Sequence, residues 1–261
     1  MKDHYVDKSV KAKKYLGQHF LTDEAIAQRI AGSLQQLQNV IEIGSGMGVL
    51  TKYLLDNQSI GQLKVVEIDK ESVDYLLAHY PTLDVYNEDF LQMNLSSVFA
   101  DKISIIGNFP YNISNQILFK VFDNKDMVDE VVGMFQKEVA QRVVASEGSK
   151  TYGILSVLLS AFYDMEYLFT VEPTVFNPPP KVKSAVIRMT RNQTKNLPCD
   201  EKLFLRVVKT AFNQRRKMLR SALKALQMDL TAIPPEYMTQ RAEQLSVNQF
   251  ISITKTLEQQ I

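Results

Sequence analysis

The chain has 261 residues, of which 45% are hydrophobic and 23% charged, and its net charge is only +1. These values are ordinary for a soluble globular protein of one large domain, or of one domain with a smaller one beside it. One cysteine and three scattered histidines exclude a disulfide framework and argue against a zinc site, so we expect no metal. The longest apolar runs are about half the ~20 residues that a membrane span needs, and the polar amino terminus lacks a signal-peptide core. We therefore expect a cytoplasmic protein.

The charge is unevenly distributed along the chain. Residues 1–20 carry a net charge of +3 and residues 181–224 a net charge of +11, whereas residues 21–180 carry −11. Dense positive charge on one segment is what a phosphate backbone selects, although lysine-rich helices can also simply be solvated. The pattern favours two basic regions that bind nucleic acid and flank an acidic body.

Short apolar runs alternate with amphipathic ones through much of the chain. The apolar runs predict strands at 39–43, 63–68, 83–87, 102–107 and 129–136, and a pair of strands at 161–171 and 183–190. The amphipathic runs predict helices at 48–57, 70–79 and 137–146. The alternation indicates an α/β fold with a parallel sheet that ends in an antiparallel pair.

The carboxyl-terminal part reads as helical after a linker-like stretch at 191–201. Residues 204–226 predict one amphipathic helix, with an apolar face formed by Phe212, Leu219, Leu223 and Leu226. Its polar face would carry Asn213, Lys217, Arg220 and Lys224. A last helix is predicted from about Val247. We therefore expect two domains, residues 1–192 and a small helical domain of residues 193–261.

A glycine-rich loop and two acids follow the first three predicted strands. Gly44, Gly46 and Gly48 follow the first strand, where a tight turn alone could also explain them. Glu67 follows the second strand and could accept both ribose hydroxyls of a nucleoside. Asp89 follows the third and could accept from an adenine amino group, whereas Asp69 and Glu71 are interpreted as solvated residues or helix caps. Together these residues favour an adenosine-bearing cofactor without a required pyrophosphate, at the carboxyl edge of the sheet.

The fourth strand delivers the tetrapeptide Asn-Phe-Pro-Tyr, residues 108–111, to the same edge. The Asn108 side-chain oxygen and the Phe109 carbonyl could both accept from one exocyclic amine, with the backbone restricted by Pro110. Tyr111 offers a flat face for a purine. A proline turn beside a core aromatic is the alternative, but after the glycine loop and the acids we favour a site for a flipped-out base.

These motifs resemble amino-methyltransferases with an (Asn/Asp/Ser)-x-Pro-(Tyr/Phe) motif and, more narrowly, the KsgA/RsmA family of ribosomal RNA adenine dimethyltransferases. The matching segments run in family order over nearly the whole chain: "YLGQHFL" (15–21), "VIEIGSGMG" (40–48), "VVEID" (65–69), "NEDF" (87–90), "IIGNFPYNIS" (105–114), "FQKEVAQRVVA" (135–145), "YGILSV" (152–157), "VFNPPPKVKSAV" (175–186) and "FNQRRKMLR" (212–220).

The resemblance implies a Rossmann-like class I methyltransferase domain with a seven-stranded sheet, a small carboxyl-terminal helical domain, and S-adenosylmethionine as methyl donor. The implied reaction dimethylates N6 of two adjacent adenosines in the 3′-terminal hairpin of 16S rRNA, within the small ribosomal subunit. The partner would be that RNA, and the protein is expected to act as a monomer in small-subunit biogenesis.

The resemblance also assigns residues to roles. The cofactor residues would be His19, Leu21, Gly44, Gly46, Glu67, Asp89 and Asn108, with the segment of His19 and Leu21 folded over the cofactor. The base would be held and methylated by Asn108, Phe109, Pro110, Tyr111 and Phe176. RNA phosphates would be bound by Lys181, Lys183, Arg215, Arg216, Lys217 and Arg220. Two residues depart from the family: His19 stands where it often has Asn, and Phe109 where it usually has Leu or Ile.

Three other readings stay open. A 23S rRNA adenine N6-methyltransferase of the antibiotic-resistance type would share the fold, but "NPPPKVKSAV" with "FNQRRKMLR" favours the small-subunit enzyme. A DNA adenine methyltransferase is less favoured because no sizeable target-recognition insertion is visible. A largely non-catalytic ribosome-assembly or transcription factor is disfavoured by the intact Gly44, Glu67, Asp89 and Asn108.

Overall fold

The computed structural model describes residues 10–260. Residues 1–9, which include His4 and part of the basic amino-terminal region, lie outside the described residues, as does residue 261. The chain forms two compact units, one of Met1–Lys137 with Leu168–Arg188 and the other of Glu138–Tyr167 with Met189–Ile261. The division into domains at residue 192 stays a prediction, because compactness does not test which part folds by itself.

A mixed sheet of seven strands confirms the predicted α/β class. The strands are β2 (Asn39–Ile43), β3 (Gln62–Val66), β4 (Asp84–Tyr86), β5 (Ile103–Asn108), β6 (Val128–Gln136), β7 (Tyr163–Val171) and β9 (Ser184–Arg191). Their order across the sheet is β4-β3-β2-β5-β6-β9-β7. All five residues of β2 are buried, as are the first five of β5. Strands covered on both faces read as continuous apolar runs, which is why the sequence identified them.

The parallel register brings the ends of the central strands together. Ile43 in β2 pairs with Val66 in β3, and Glu42 pairs with Ile106 in β5. The next residues of these three strands therefore leave the sheet at one edge, where ligands bind in open α/β folds.

The helices of the first unit flank these strands. They are α1 (Glu24–Ala31), α2 (Val49–Asp56), α3 (Lys70–His79), α4 (Leu95–Val98) and α5 (Ser114–Asp123). A separate antiparallel pair joins β1 (Phe20–Leu21) to β8 (Phe176–Asn177), with Leu21 opposite Phe176. The sequence did not predict this pair, because two-residue strands carry no periodicity.

The second unit is mainly helical, but the single helix predicted over 204–226 is wrong. Its helices are α6 (Lys137–Val143, whose first residue belongs to the first unit), α7 (Ile154–Ser160), α8 (Glu201–Asn213), α9 (Leu219–Ala222), α10 (Pro235–Met238) and α11 (Val247–Glu258). Met218 instead has extended backbone and bridges Arg241, and the Leu219 amide donates to the Gln240 carbonyl at 2.7 Å. Because α8 ends at Asn213, Phe212 and Asn213 do not share a helix with the later residues of the predicted faces, whereas Leu219, Leu223 and Leu226 are all buried in the segment that follows.

The final helix is confirmed and begins with a reciprocal cap. The Ser246 hydroxyl accepts from the Gln249 amide at 3.3 Å, and the Gln249 side chain accepts from the Ser246 amide at 2.8 Å. Among residues 10–260, none of the helices has the length and apolar character needed to cross a lipid bilayer.

Candidate active site

The glycine loop between β2 and α2 has left-handed backbone at three positions. The φ angles are +69° at Gly44, +56° at Gly46 and +81° at Gly48. A Cβ atom at Gly46 would lie 2.9 Å from the Phe20 ring, too close for any other residue. Glycine therefore serves both the turn and the close approach of the amino-terminal segment.

Glu67 lies directly after β3 and is bound to the glycine loop. Its side chain is buried, one carboxylate oxygen accepts from the Gly46 amide at 3.0 Å, and the other accepts from the Asp69 amide at 2.9 Å. Burial raises the pKa of this carboxyl, and the backbone hydrogen bonds oppose that rise. Each oxygen keeps a second lone pair that could accept from a ligand hydroxyl.

Asp89 lies at the other end of the same edge. With Glu67 and Ile68 it lines one cavity, and its carboxylate accepts from the Leu91 amide at 2.9 Å. Sequence reasoning missed Ile68, which is 50% exposed and presents an apolar surface between the two acids. Its position directly after the strand-end acid is the signal that could have identified it.

Asn108 ends β5 and is oriented by the amino-terminal segment. Its side-chain amide nitrogen donates to the His19 carbonyl at 2.9 Å. This bond uses the donor end of the amide, so the oxygen end is the one left to accept from a ligand. Asn108 lines a cavity together with His19, Gly44 and Glu67.

The Phe109 ring belongs to the core. It is 1% exposed, meets Phe135 edge-on with centroids 5.1 Å apart, and would lie 2.3 Å from a Cβ atom at Gly133. Its amide donates to the Met134 carbonyl at 3.2 Å. The core-aromatic reading thus holds for this side chain, and the ring anchors the backbone of the 108–111 loop.

Tyr111 is partly buried and stacks on His19. The ring centroids are 5.4 Å apart with an interplanar angle of 29°, and the Tyr111 hydroxyl lies 2.5 Å from the Ser184 hydroxyl. Burial raises the pKa of Tyr111, which therefore stays neutral. His19 Nδ1 lies 2.7 Å from the Pro178 carbonyl oxygen, which can only accept, so this ring nitrogen donates the hydrogen bond.

The structure does not group all the predicted site residues. Leu21 lines a second cavity with Gly44, Gly46 and Asn108. Phe176, 4% exposed, packs instead in a hydrophobic cluster with Leu21, Val132 and Met134. A role for Phe176 as a base-holding residue opposite Tyr111 stays a prediction.

The predicted RNA-binding residues lie in both units. In the first, Lys183 Nζ lies 2.7 Å from a Glu172 carboxylate oxygen, and Lys181 is exposed. In the second, Arg216 and Lys217 are exposed between α8 and α9, and Arg220 is exposed in α9. Arg215 donates to the Lys150 carbonyl, and it lines one open cavity with Lys150, Arg241 and Glu243, whose carboxylate lies 3.8 Å from Arg215 Nε. Lys150 and Arg241 were not predicted, because they are distant from Arg215 in sequence.

Glu42 is a buried carboxyl inside β2 and lines the second cavity. It is 1% exposed and accepts a hydrogen bond from the Thr51 hydroxyl at 2.6 Å. Burial, reinforced by the nearby Glu67 charge, raises its pKa to about 8 from the usual 4.5.

Glu42→Gln is expected to stabilise the protein increasingly as pH rises from 5 to 8. Between the ordinary pKa of 4.5 and the folded value of about 8, Glu42 ionises in the unfolded chain and stays protonated in the folded one. Stability is thus lost over this interval in the wild type, by a few kcal/mol at most, and the glutamine variant avoids that loss. Melting temperatures of both proteins across this pH range test it. A difference that does not change with pH would contradict a neutral Glu42.

Comparisons with known proteins identify the family of this chain. Residues 9–259 match the sequence profile of the family described as ribosomal RNA adenine dimethylase. The proteins named Ribosomal RNA small subunit methyltransferase A from Cytophaga hutchinsonii and Flavobacterium johnsoniae are 57% and 56% identical to this chain. The alignments cover 95% of this chain in both cases, and 98% and 97% of those proteins.

Solved structures share the fold. A dimethyladenosine transferase from Plasmodium falciparum superposes with a TM-score of 0.74 at 23% identity, covering 90% of this chain and 96% of that one. The 23S rRNA methyltransferase ErmE gives 0.69 at 22% identity, covering 91% and 99%. With the profile match over nearly its full length, the chain belongs to the ribosomal RNA adenine dimethylase family.

Proposed function

We propose that this enzyme transfers methyl groups from S-adenosylmethionine to N6 of two adjacent adenosines in the 3′-terminal hairpin of 16S rRNA, giving N6,N6-dimethyladenosine in small-subunit biogenesis. The relatives named as small-subunit methyltransferases support the choice of RNA. The observation that carries the chemistry is the Asn108 amide, whose donor end is fixed by His19 and whose oxygen end is left to accept. We propose the cytoplasm as its location and a monomer as its working form.

The residues at the sheet edge fit S-adenosylmethionine. Gly44 and Gly46 open the loop for close approach, Glu67 offers carboxylate lone pairs to ribose hydroxyls, and half-exposed Ile68 offers an apolar surface to adenine. Asp89 would accept from the adenine amine, and His19 and Leu21 would cover the methionine part. The cofactor supplies a methyl group made electrophilic by its sulfonium. Within residues 10–260 no group of three or more His, Cys, Asp or Glu side chains could hold a metal ion, and a reaction without metal stays a prediction.

Asn108 and Phe109 would act on the acceptor amine. The adenine N6 lone pair is delocalised into the ring, so the amine is a weak nucleophile. Two fixed acceptors, the Asn108 oxygen and the Phe109 carbonyl, would hold its hydrogens and favour a more tetrahedral nitrogen. Pro110 restricts the backbone between them and Tyr111. The contribution is positioning and electrostatics, and a strong general base is not required because the amine becomes acidic as it is methylated.

Tyr111→Ala is expected to raise KM for RNA by about tenfold to a hundredfold, because stacking on an aromatic side chain is worth about 1–3 kcal/mol per base. Tyr111→Phe keeps the ring and loses only the bond to Ser184, so it should behave nearly as the wild type and match Ser184→Ala. Steady-state methyl transfer at saturating cofactor measures KM for RNA in each variant. Equal losses in the alanine and phenylalanine variants would contradict a stacking role.

RNA phosphates would be bound by the basic side chains of both units. We propose that Lys150 and Arg241 act with Arg215, because all three line one open cavity. Lys181, Lys183, Arg216, Lys217 and Arg220 would add further contacts, and binding should weaken steeply with salt.

Expression of the chain in a bacterium that lacks its own small-subunit adenine dimethyltransferase tests the proposed function. Primer extension stops at dimethyladenosine, so stops should return at the proposed adenosine pair near the 3′ end of 16S rRNA, the strongest at the residue that the reverse transcriptase meets first. Absence of these stops, with the protein present and folded, would reject the proposal. Stops in 23S rRNA instead would favour the resistance-type alternative, for which the fold of ErmE is the supporting observation.

A further inference from the structure

The segment Lys13–His19 is attached to a buried carboxylate that the reaction itself does not use. Asp69 is 3% exposed, and one of its oxygens lies 2.5 Å from Lys13 Nζ. Its other oxygen accepts from the Gln18 side chain at 3.2 Å, and the Gln18 oxygen accepts from the Lys13 amide at 2.8 Å. Lys13 Nζ also lies 3.2 Å from Glu71. These bonds close the segment into a loop around one acid.

Asp69 also caps helix α3, but a helix cap does not require burial or partners that are distant in sequence. Its carboxylate caps α3 by accepting from the Glu71 amide at 3.2 Å, as sequence reasoning expected of a helix cap. The sequence left open a solvated residue or a helix cap, and the structure shows the cap, with the carboxylate buried beneath the amino-terminal segment. Hydrogen bonds from Lys13, Gln18 and Glu71 outweigh the effect of burial and lower the pKa of Asp69, so it is charged at neutral pH.

The same residue contacts the cofactor cavity through its backbone. The Asp69 amide donates to Glu67 at 2.9 Å, and Glu67 lines the cavity together with Leu16, Gly17, Gln18 and His19. The segment also approaches the loop after Tyr111 closely, since a Cβ atom at Gly17 would lie 2.6 Å from the Asn112 side-chain oxygen. The segment thus forms part of the cavity wall, and Asp69 lies between the segment and Glu67.

We propose that Asp69, with Lys13 and Gln18, is a positioning residue that holds the segment Lys13–His19 closed over the cavity and thereby sets the affinity for S-adenosylmethionine. The inference rests on the proposed function for the identity of the ligand. The apparent affinity equals the intrinsic affinity multiplied by the fraction of molecules in which the segment is in its binding-competent arrangement. Loss of a charged, largely buried anchor therefore weakens binding without removing any ligand contact.

The test compares Asp69→Asn, Lys13→Ala and the double variant with the matched control Lys14→Ala, which removes the neighbouring exposed lysine. Asparagine keeps a cap for α3, and Lys13→Ala breaks the ion pair from the other side. Amide hydrogen exchange over residues 13–19 is measured without cofactor, and Kd for S-adenosylmethionine by calorimetry. Both single variants should speed exchange and raise Kd about tenfold. The double variant should have an exchange rate and a Kd close to those of either single variant. Lys13→Arg, which keeps the positive charge, should retain much of the affinity that Lys13→Ala loses. Lys14→Ala should change neither the exchange rate nor Kd.

Unchanged exchange in both single variants, or unchanged Kd despite faster exchange, would overturn the proposal. Failure of the proposed function is distinguishable, because it would appear as a wild-type protein that does not bind S-adenosylmethionine. The exchange data from cofactor-free protein would then still decide whether Asp69 holds the segment, and the claim about affinity would be rejected.

Discussion

Asn108→Ala is expected to lower the rate of methyl transfer by about a hundredfold to a thousandfold, the usual effect of deleting one preorganised polar group from a reacting centre. The variant loses the acceptor oxygen at the end of β5 and leaves the His19 carbonyl without the 2.9 Å bond it receives from the Asn108 amide. Because Glu67 and the glycine loop are untouched, Kd for S-adenosylmethionine should rise far less than the rate falls. Single-turnover methyl transfer with saturating RNA, together with calorimetry, separates the two effects.

Asn94→Ala is the matched control. Asn94 is exposed and caps the short helix α4 through a 3.2 Å bond to the Ser96 amide, so its removal should leave methyl transfer unchanged. An Asn108→Ala enzyme that keeps more than about a tenth of the wild-type rate would contradict a role at the reacting amine.

Glu67→Gln is expected to weaken S-adenosylmethionine binding by about a hundredfold. The carboxylate receives the Gly46 and Asp69 amides on its two oxygens, whereas glutamine has one oxygen and one amino group. One of these two backbone amides would then face the amino group of the glutamine, which cannot accept its hydrogen bond. Only one side-chain oxygen, instead of two, would remain to accept from the ribose hydroxyls. Calorimetric Kd, measured below the melting temperature of the variant, checks this result.

Asp74→Asn supplies the control for charge. Asp74 is on the exposed face of α3, paired with Lys70 at 3.0 Å, and its neutralisation should not alter cofactor affinity. If Glu67→Gln bound as tightly as the wild type, the carboxylate would hold only the glycine loop, and its assignment to the ribose would be wrong.

The strands and their chemistry were largely predictable from the sequence, for a physical reason. Strands such as β2 and β5 are buried along nearly their whole length, so most of their residues are apolar and their ends are marked by polar residues or glycine. Parallel strands then place Gly44, Glu67 and Asn108 at one edge without further information. Family resemblance added the substrate, which spacing alone does not specify.

Features that depend on distant partners were not predictable. The helical periodicity over residues 204–226 is genuine in the sequence, but the pairing of Met218 with Arg241 competes with helix continuation and prevails. Asp69 looks like an ordinary helix cap, and only the fold brings Lys13 and Gln18 onto it. The Phe109 ring likewise finds its place only because β6 carries a glycine at residue 133.

Methyl transfer from labelled S-adenosylmethionine to unmethylated small subunits, run in parallel with protein-free large-subunit RNA, tests the central claim most directly. Nucleoside mass spectrometry reads the product. We predict N6,N6-dimethyladenosine in the small subunit alone, at two residues per particle in the proposed hairpin. Product only in large-subunit RNA, or no product in either despite cofactor binding, would contradict the account.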